Sequence, residues 1–317
     1  MNNIFAYYSS VPKAKINWMM YPYIAYGKLT VMQGNPGEGK SSVAIQLCAK
    51  LTKAGELPNG EKIEAPVNVV YQCAEDGLAD TIKPRLEAAG ADCTKVIFIC
   101  EDEKTLTMDD TRIERVIAET NCRFFVLDPF QAYVAHASDM YHPAKMRKLL
   151  RGLARIAERH NCAILLICHM TKAKGKNLHR ILGSVDIGAI ARSVLLIERD
   201  DGDPEIHYIT QIKNNLAIMG DPLVFRLGKS GFQWLDSDYI AHPVSGGLKE
   251  KYSKCHEAAE MILTLLQDGP MESTKILQLL KEKGISERTA KIAKNDVEAK
   301  SFRKGSVWFW SLKNDEG

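Results

Sequence analysis

Little in this sequence points to a metal or disulfide framework, a membrane or a polyelectrolyte. Its eight cysteines, Cys48, Cys73, Cys93, Cys100, Cys122, Cys162, Cys168 and Cys255, include no C-x-x-C pair, the spacing that zinc and dithiol sites use. Most lie in apolar runs and are expected as buried, reduced thiols that pack as small hydrophobes. No stretch approaches the ~20 apolar residues of a membrane span. The segment MNNIFAYYSSVPKAK lacks the basic start, apolar run and small-residue cleavage site of a secretory signal, so a soluble, cytoplasmic chain with no membrane partner is expected. The formal net charge of +3 is too small to argue for nucleic acid by itself, and only the placement of charge can do so. No internal repeat or low-complexity tract is visible.

At 317 residues the chain exceeds a usual single domain, so a large core and a smaller unit are expected. From Lys28 to about Leu235, short apolar runs alternate with helical segments. The runs are Leu29 to Gln33, Val67 to Cys73, Val96 to Cys100, Phe124 to Asp128, Ala163 to Cys168 and Val194 to Glu198. Strands buried on both faces look like this, which predicts an α/β fold with a mostly parallel sheet covered by helices. Ile206 to Lys213 and Leu223 to Leu227 have only a Gly-Asp-Pro turn signal between them and are expected as an antiparallel extension at one edge. The chain thus divides into a large α/β domain over 1–235, a linker over 236–252 and a second domain over 253–317.

In that second domain, helices are expected over Lys254 to Gln267, Ser273 to Lys283 and Ser286 to Ala299, with Ser286 as an N-cap. Ser301 to Leu312 alternates as a hairpin around Lys304-Gly305-Ser306. Three helices and a two-stranded wing predict a small winged helix-turn-helix.

The strongest motif is Gly34-Asn35-Pro36-Gly37-Glu38-Gly39-Lys40-Ser41, a G-x-x-x-x-G-K-S phosphate loop placed between an apolar strand and the helical stretch Lys40 to Lys53. The glycines permit backbone angles that turn successive N–H groups inward, and the helix N-terminus adds positive dipole. Lys40 would reach the β and γ phosphates of ATP, and Ser41 would offer its hydroxyl to Mg²⁺. With Ser42, these residues are the expected nucleotide-binding set.

Phe124-Phe125-Val126-Leu127-Asp128 is an apolar run ending in Asp, which makes Asp128 the expected carboxylate for Mg²⁺. Hydrolysis also needs a group that polarises water, and Pro129 occupies the position after Asp128 where many such ATPases place a catalytic Glu. The expected base is therefore Glu75, after the strand Val67 to Cys73 and one strand over from the phosphate loop. His169 ends its strand on the same rim and could sense the γ-phosphate. Arg192, which opens the strand Val194 to Glu198, could serve as an arginine finger on a neighbouring subunit's phosphate.

These residues resemble the RepA-like hexameric replicative helicases, RecA-like P-loop ATPases of plasmids, phages and mobile elements. The resemblance covers about residues 15 to 235. It rests on Trp18 to Tyr23, GNPGEGKS, Cys73-Ala74-Glu75-Asp76, Asp80-Thr81 and Pro84-Arg85, Leu127-Asp128-Pro129, His169-Met170-Thr171-Lys172, Gly183-Ser184 with Ala191-Arg192, and Lys213-Asn214-Asn215. It implies a RecA-type core with ATP and Mg²⁺ at the subunit interfaces of a homo-oligomer, expected as a hexamer. It also implies Glu75 and Asp128 in the roles above, His169 as sensor and Arg192 as the finger in trans. Related enzymes carry a basic pair where this chain has Lys213-Asn214-Asn215, so Lys213 is a second candidate for contact with the neighbour's phosphates.

Lys172, Lys174, Lys176 and Arg180 form a basic cluster without apolar period, suited to a single-stranded DNA backbone that exchanges condensed counterions for protein cations. Gln131 to His142, with Tyr133, His136 and Tyr141, is a candidate base-stacking surface. On the third helix of the second domain, Arg288, Lys291 and Lys294 lie at i, i+3 and i+6, and the wing adds Arg303 and Lys304. That face suits duplex DNA, while winged helices also dock replication or mobile-element partner proteins. Two readings stay open: an ATP-driven, ring-forming DNA motor such as a replicative helicase, or an ATP-gated, DNA-binding adaptor of helicase-loader type.

Overall fold

The computed structural model describes residues 5, 7–170, 185–200, 202–235, 248–267, 269–297, 299–305 and 307–312. The chain forms two compact units, the first made of Met1–Glu198 with Glu205–Leu235 and the second of Arg199–Pro204 with Asp236–Gly317.

In the first unit a short hairpin, β1 (Trp18–Met20) and β2 (Ile24–Ala25), precedes β3 (Leu29–Gly34) and α1 (Lys40–Thr52). Then follow β4 (Val69–Cys73), α2 (Lys83–Ala88), β5 (Val96–Ile97), α3 (Thr111–Thr120), β6 (Phe124–Asp128), α4 (Pro143–His160), β7 (Ala163–His169), α5 (Val185–Ile190) and β8 (Ser193–Arg199). The unit closes with β9 (Ile206–Asn214), β10 (Leu223–Gly228) and β11 (Gly231–Leu235).

Among the described residues these strands make a nine-stranded sheet in the order β11, β10, β9, β8, β3, β7, β6, β4, β5. The strands from β8 to β5 pair in parallel, and β9, β10 and β11 add an antiparallel edge. The strand carrying the phosphate loop is thus central, with Gly34 opposite both His169 and Ile197.

Successive strand residues point to opposite faces, and each face has its own core. Val31, Val70, Phe125, Leu127, Ile164 and Leu166 meet α3 and α4 through Ile113, Ile117, Leu150 and Leu153. Met32, Val69, Tyr71, Phe124, Val126 and Leu165 meet α1 and α2 through Val43, Leu47, Leu51 and Leu86. Each such side chain contributes roughly 1.5–3 kcal/mol of burial, so the two cores hold the central strand ends in fixed relative positions.

In the first unit, two strand expectations and the burial of the cysteines need correction, and in the second unit the first helix begins at Leu248, inside the stretch expected as linker. β5 stops at Ile97 because the Ile99 N–H is taken by the side chain of Gln72 at 2.8 Å and is lost to the ladder. The edge extension gains β11, whose Trp234 pairs with Phe225. Of the cysteines, Cys48, Cys122, Cys162 and Cys168 are buried, but Cys73 and Cys93 are half-buried and Cys100, in the loop beyond the shortened β5, is exposed. No helix among the described residues is long and apolar enough to cross a membrane.

The second unit contains α6 (Leu248–Leu265), β12 (Met271–Glu272), α7 (Ser273–Glu282), α8 (Glu287–Asp296), β13 (Lys300–Lys304) and β14 (Val307–Ser311). Its three strands pair antiparallel with β14 in the middle. Ala258, Ile262, Ile276, Leu280, Ala290, Ala293 and Trp310 form its core. Ser286 caps α8, its hydroxyl accepting the Thr289 N–H at 3.2 Å.

Candidate active site

The loop between β3 and α1 is shaped by its own residues. Gly37 and Gly39 take φ values of 79° and 83°, the left-handed region that a side chain disfavours. A Cβ on Gly39 would also meet Leu227 and Phe225 at 3.0 and 3.1 Å. Glu38 staples the turn: one carboxylate oxygen accepts the Asn35 backbone N–H and the other its side-chain amide, both at 2.8 Å.

Lys40 is 4% exposed, and its ammonium donates to the carbonyls of Gly34 at 3.0 Å and Asn35 at 2.7 Å. Burial lowers its pKa, opposed by the nearby carboxylates of Glu38 and Asp128. A buried cation resting on backbone carbonyls has much to gain from an anion in their place.

Asp128, at the end of β6, is 5% exposed. Burial raises the pKa of its carboxyl, while the Tyr71 hydrogen bond and then the Ser41 hydroxyl oppose the rise. The Tyr71 hydroxyl donates to Asp128 Oδ2 at 2.5 Å. The hydroxyl of Ser41 and the carboxylate of Asp128 therefore stand together as hard oxygen donors. That chemistry fits Mg²⁺, because a cation there would favour the ionised form that burial opposes.

Glu75 reaches this rim by a different route from the expected one. β4 is not next to β3: β7 and β6 lie between them. The segment after β4 folds across the end of β6, with the Ala74 N–H donating to the Asp128 carbonyl at 3.1 Å. Glu75 Oε1 then stands 3.6 Å from His169 Nε2. Its neighbour Asp76 pairs with Arg85 at 2.8 Å and anchors the turn. His169 Nδ1 is buried without a hydrogen-bond partner among the described residues, while its carbonyl accepts from Gln131 at 3.4 Å.

The structure thus brings Lys40, Ser41, Glu75, Asp128 and His169 to one rim, at the C-terminal ends of β3, β6 and β7. Arg192 and Lys213 are not there. Arg192 precedes β8, and its N–H donates to the Leu29 carbonyl at 3.0 Å, at the opposite end of the sheet. Lys213 joins it, donating to the carbonyls of Ala189 and Ala191 at 2.9 and 2.8 Å. Burial, then the Arg192 charge, lowers its pKa. Arg192 lines a cavity of about 400 Å³ with Lys28, Arg151, Arg155 and Glu158.

Of the expected nucleic-acid residues, Lys172, Lys174, Lys176 and Arg180 lie outside the described residues, as does the side chain of Arg288. Tyr133 is no stacking surface: it is 2% exposed, packed in the core beside Phe130. His136 is exposed, and the side chain of Tyr141 lies outside the described residues. Lys291 pairs with Glu287 at 2.6 Å. Lys294 turns back to Ser301 at 2.6 Å and lies over the Trp310 ring, and burial lowers its pKa. Arg303 and Lys304 are exposed on β13.

Two residues at the rim carry no motif in the sequence. Tyr71 reads as one more large residue of a buried strand, and the only signal is that a buried tyrosine hydroxyl needs a partner. Gln131 has no signal of its own.

A mostly parallel sheet with a phosphate loop at the tip of its central strand and an acidic strand end beside it defines a RecA-like P-loop fold. The family described as an AAA domain matches residues 5–175, more than half of the chain, and the chain belongs to that family. It is 25% identical over 231 residues to a DNA repair protein RadA of Rickettsia typhi, covering 70% of this chain and 45% of that protein. To a DNA repair protein RadA of Halalkalibacterium halodurans it is 24% identical, covering 69% and 43%. The chain thus spans less than half the length of these curated relatives. A KaiC-like protein of Pyrococcus horikoshii superposes with a TM-score of 0.50 at 19% identity, covering 71% of this chain and all of that one. A solved ATPase domain superposes with a TM-score of 0.51 at 14% identity, covering 66% and 85%.

Proposed function

We propose that this chain is a Mg²⁺-dependent ATPase that assembles head to tail into a ring, most simply a hexamer, and acts as a motor on single-stranded DNA, as a replicative helicase does. The observation that carries the reading is the convergence of Lys40, Ser41, Glu75, Asp128 and His169 on one rim. Lys40 leaves the carbonyls of Gly34 and Asn35 for the β and γ phosphates, and the N–H groups from Gly37 to Ser42 cradle them. Ser41 and Asp128 would hold Mg²⁺, which when bound would supply positive charge against the phosphates. Glu75 accepts a proton from the attacking water, and His169, beside it, reads whether the γ-phosphate is present.

The placement of Arg192 and Lys213 supports assembly. Both stand at the end of the sheet away from their own phosphate loop, so either reaches ATP only on a neighbouring subunit. Basic residues between 172 and 180 give the core its DNA contact. In the second unit, the order helix, strand, helix, helix, hairpin supports a winged helix, with Arg303 and Lys304 on duplex phosphates.

One observation favours the second reading, an ATP-gated adaptor, for that unit. Trp308 is 52% and Phe302 38% exposed on the hairpin, and Lys294 is drawn back from the surface. An aromatic hairpin suits a partner protein.

Steady-state ATP hydrolysis with and without single-stranded DNA, in the native chain and in Lys40→Ala, tests the motor. Stimulation of about tenfold, lost in Lys40→Ala and accompanied by a ring-sized species in mass photometry, is expected. An oligomer that hydrolyses ATP and ignores DNA would overturn the motor in favour of the adaptor.

A further inference from the structure

We propose that Tyr71 is a positioning residue of the ATP site, its hydroxyl fixing the Asp128 carboxylate so that the carboxylate meets Ser41 and the Mg²⁺-nucleotide in one orientation. The inference rests on the reading of this rim as a Mg²⁺-nucleotide site, and adds to it a residue outside every motif.

Tyr71 stands in the middle of β4, opposite Val126 of β6, and Cys73 two places on stands opposite Asp128. Its ring is 1% exposed and lies in the core formed with α1 and α2. An apolar ring would fill that space equally well, so packing alone explains the ring and leaves the hydroxyl unexplained. A phenol in such surroundings loses its water, and only a strong acceptor offsets the cost. The acceptor is Asp128 Oδ2 at 2.5 Å, within the range of a charge-assisted O–H···O⁻ bond.

The bond also does something for Asp128. The carboxyl torsion of an aspartate is broad and roughly two-fold, so a carboxylate without a fixed partner presents either oxygen. With Oδ2 held by the phenol from the β4 side, the carboxylate keeps one orientation at the end of β6, towards the start of α1 where Ser41 stands. In this contact the phenol hydroxyl is the donor and the carboxylate oxygen the acceptor.

Tyr71→Phe removes one oxygen and leaves the ring. Titrations of the full chain with a fluorescent ADP, first without Mg²⁺ and then with Mg²⁺ varied at fixed nucleotide, test the proposal in the native protein, Tyr71→Phe, Asp128→Asn and the double variant. The expected result for Tyr71→Phe is unchanged Mg²⁺-free binding and a half-saturating Mg²⁺ concentration raised roughly tenfold, the loss of one hydrogen bond to a charged group. Asp128→Asn should raise it at least as much, and Tyr71→Phe should add little on top, because the two changes act through one contact. A melting midpoint of the unliganded variant close to native separates this from loss of fold. If Tyr71→Phe destabilises the chain, the double variant is compared with Asp128→Asn at a temperature where both are folded, and a further tenfold rise there overturns the proposal. Native-like Mg²⁺ dependence in Tyr71→Phe overturns the role of Tyr71 alone. A native chain whose nucleotide binding ignores Mg²⁺ overturns the reading of the site, and this proposal with it.

Discussion

The backbone N–H of Asn215 donates to the carbonyl of Arg192 at 2.9 Å, tying the end of β9 to the start of β8 and setting Lys213 beside Arg192. The two cations therefore share one platform, far along the sheet from the phosphate loop of their own chain. If the platform serves a neighbour's ATP, Arg192→Ala lowers turnover on the order of 10³-fold, as loss of an arginine finger does, with ATP affinity little changed. The decisive measurement is mixing. Arg192→Ala and Lys40→Ala, each inactive alone, recover part of the native rate together, because some interfaces pair an intact Lys40 with an intact Arg192. No recovery would remove Arg192 from the reaction, and the same mixing with Lys213→Ala decides between the two.

Glu75 is the group whose removal should separate binding from chemistry. Glu75→Gln keeps the size of the side chain and loses the base, so turnover falls roughly 10²–10⁴-fold while nucleotide binding stays within a few-fold of native. Single-turnover hydrolysis measured beside fluorescent-ADP binding gives both numbers. Unchanged hydrolysis would move the base elsewhere on the rim.

The fold is legible in the sequence where apolar runs are long and bounded. Phe124 to Asp128 shows its observed limits, because five buried residues followed by Pro129 admit little else. The order of strands in space is not legible. Glu75 is expected one strand from the phosphate loop, yet β7 and β6 intervene, since sequence order does not reveal which parallel strand inserts between which others. β5 looks too long in the sequence because the competing acceptor for its backbone, Gln72, lies far away along the chain. Tyr133 misleads for a related reason: a polar-looking loop turns its tyrosine into the core. The site residues that carry a motif are legible, and Tyr71, whose role depends on a partner across the sheet, is not.

The hairpin of the second unit separates its two readings by salt. If Arg303 and Lys304 lie on duplex phosphates, replacing both with Ala weakens DNA binding at every sequence. The slope of log affinity against log salt then drops by roughly 2, near one unit per lost phosphate contact. Fluorescence anisotropy over a salt series provides the slope. A slope that does not move, together with a partner interaction lost in Trp308→Ala, would assign the hairpin to a protein instead.

The stability of the first unit depends on a carboxylate far from the chemistry. Asp110 caps α3, accepting the Arg112 N–H at 2.9 Å, and its side chain is 4% exposed between Arg112 and Lys104. The Arg112 hydrogen bond, ahead of all other causes, holds its carboxyl down to about 2, from an ordinary 3.8. A depressed folded value means that the unfolded chain takes up the proton first as pH falls. The stabilisation is thus complete above about pH 4 and fades as pH drops through about 2. Asp110→Ala is expected to cost about 1 kcal/mol at neutral pH, the usual loss of an N-cap, and to lower the melting midpoint. Thermal melts at several pH values should show a native-to-variant gap that is constant from neutral to mildly acid pH and narrows below about pH 4. A gap that widens with acid would contradict the assignment of this carboxylate as ionised and paired.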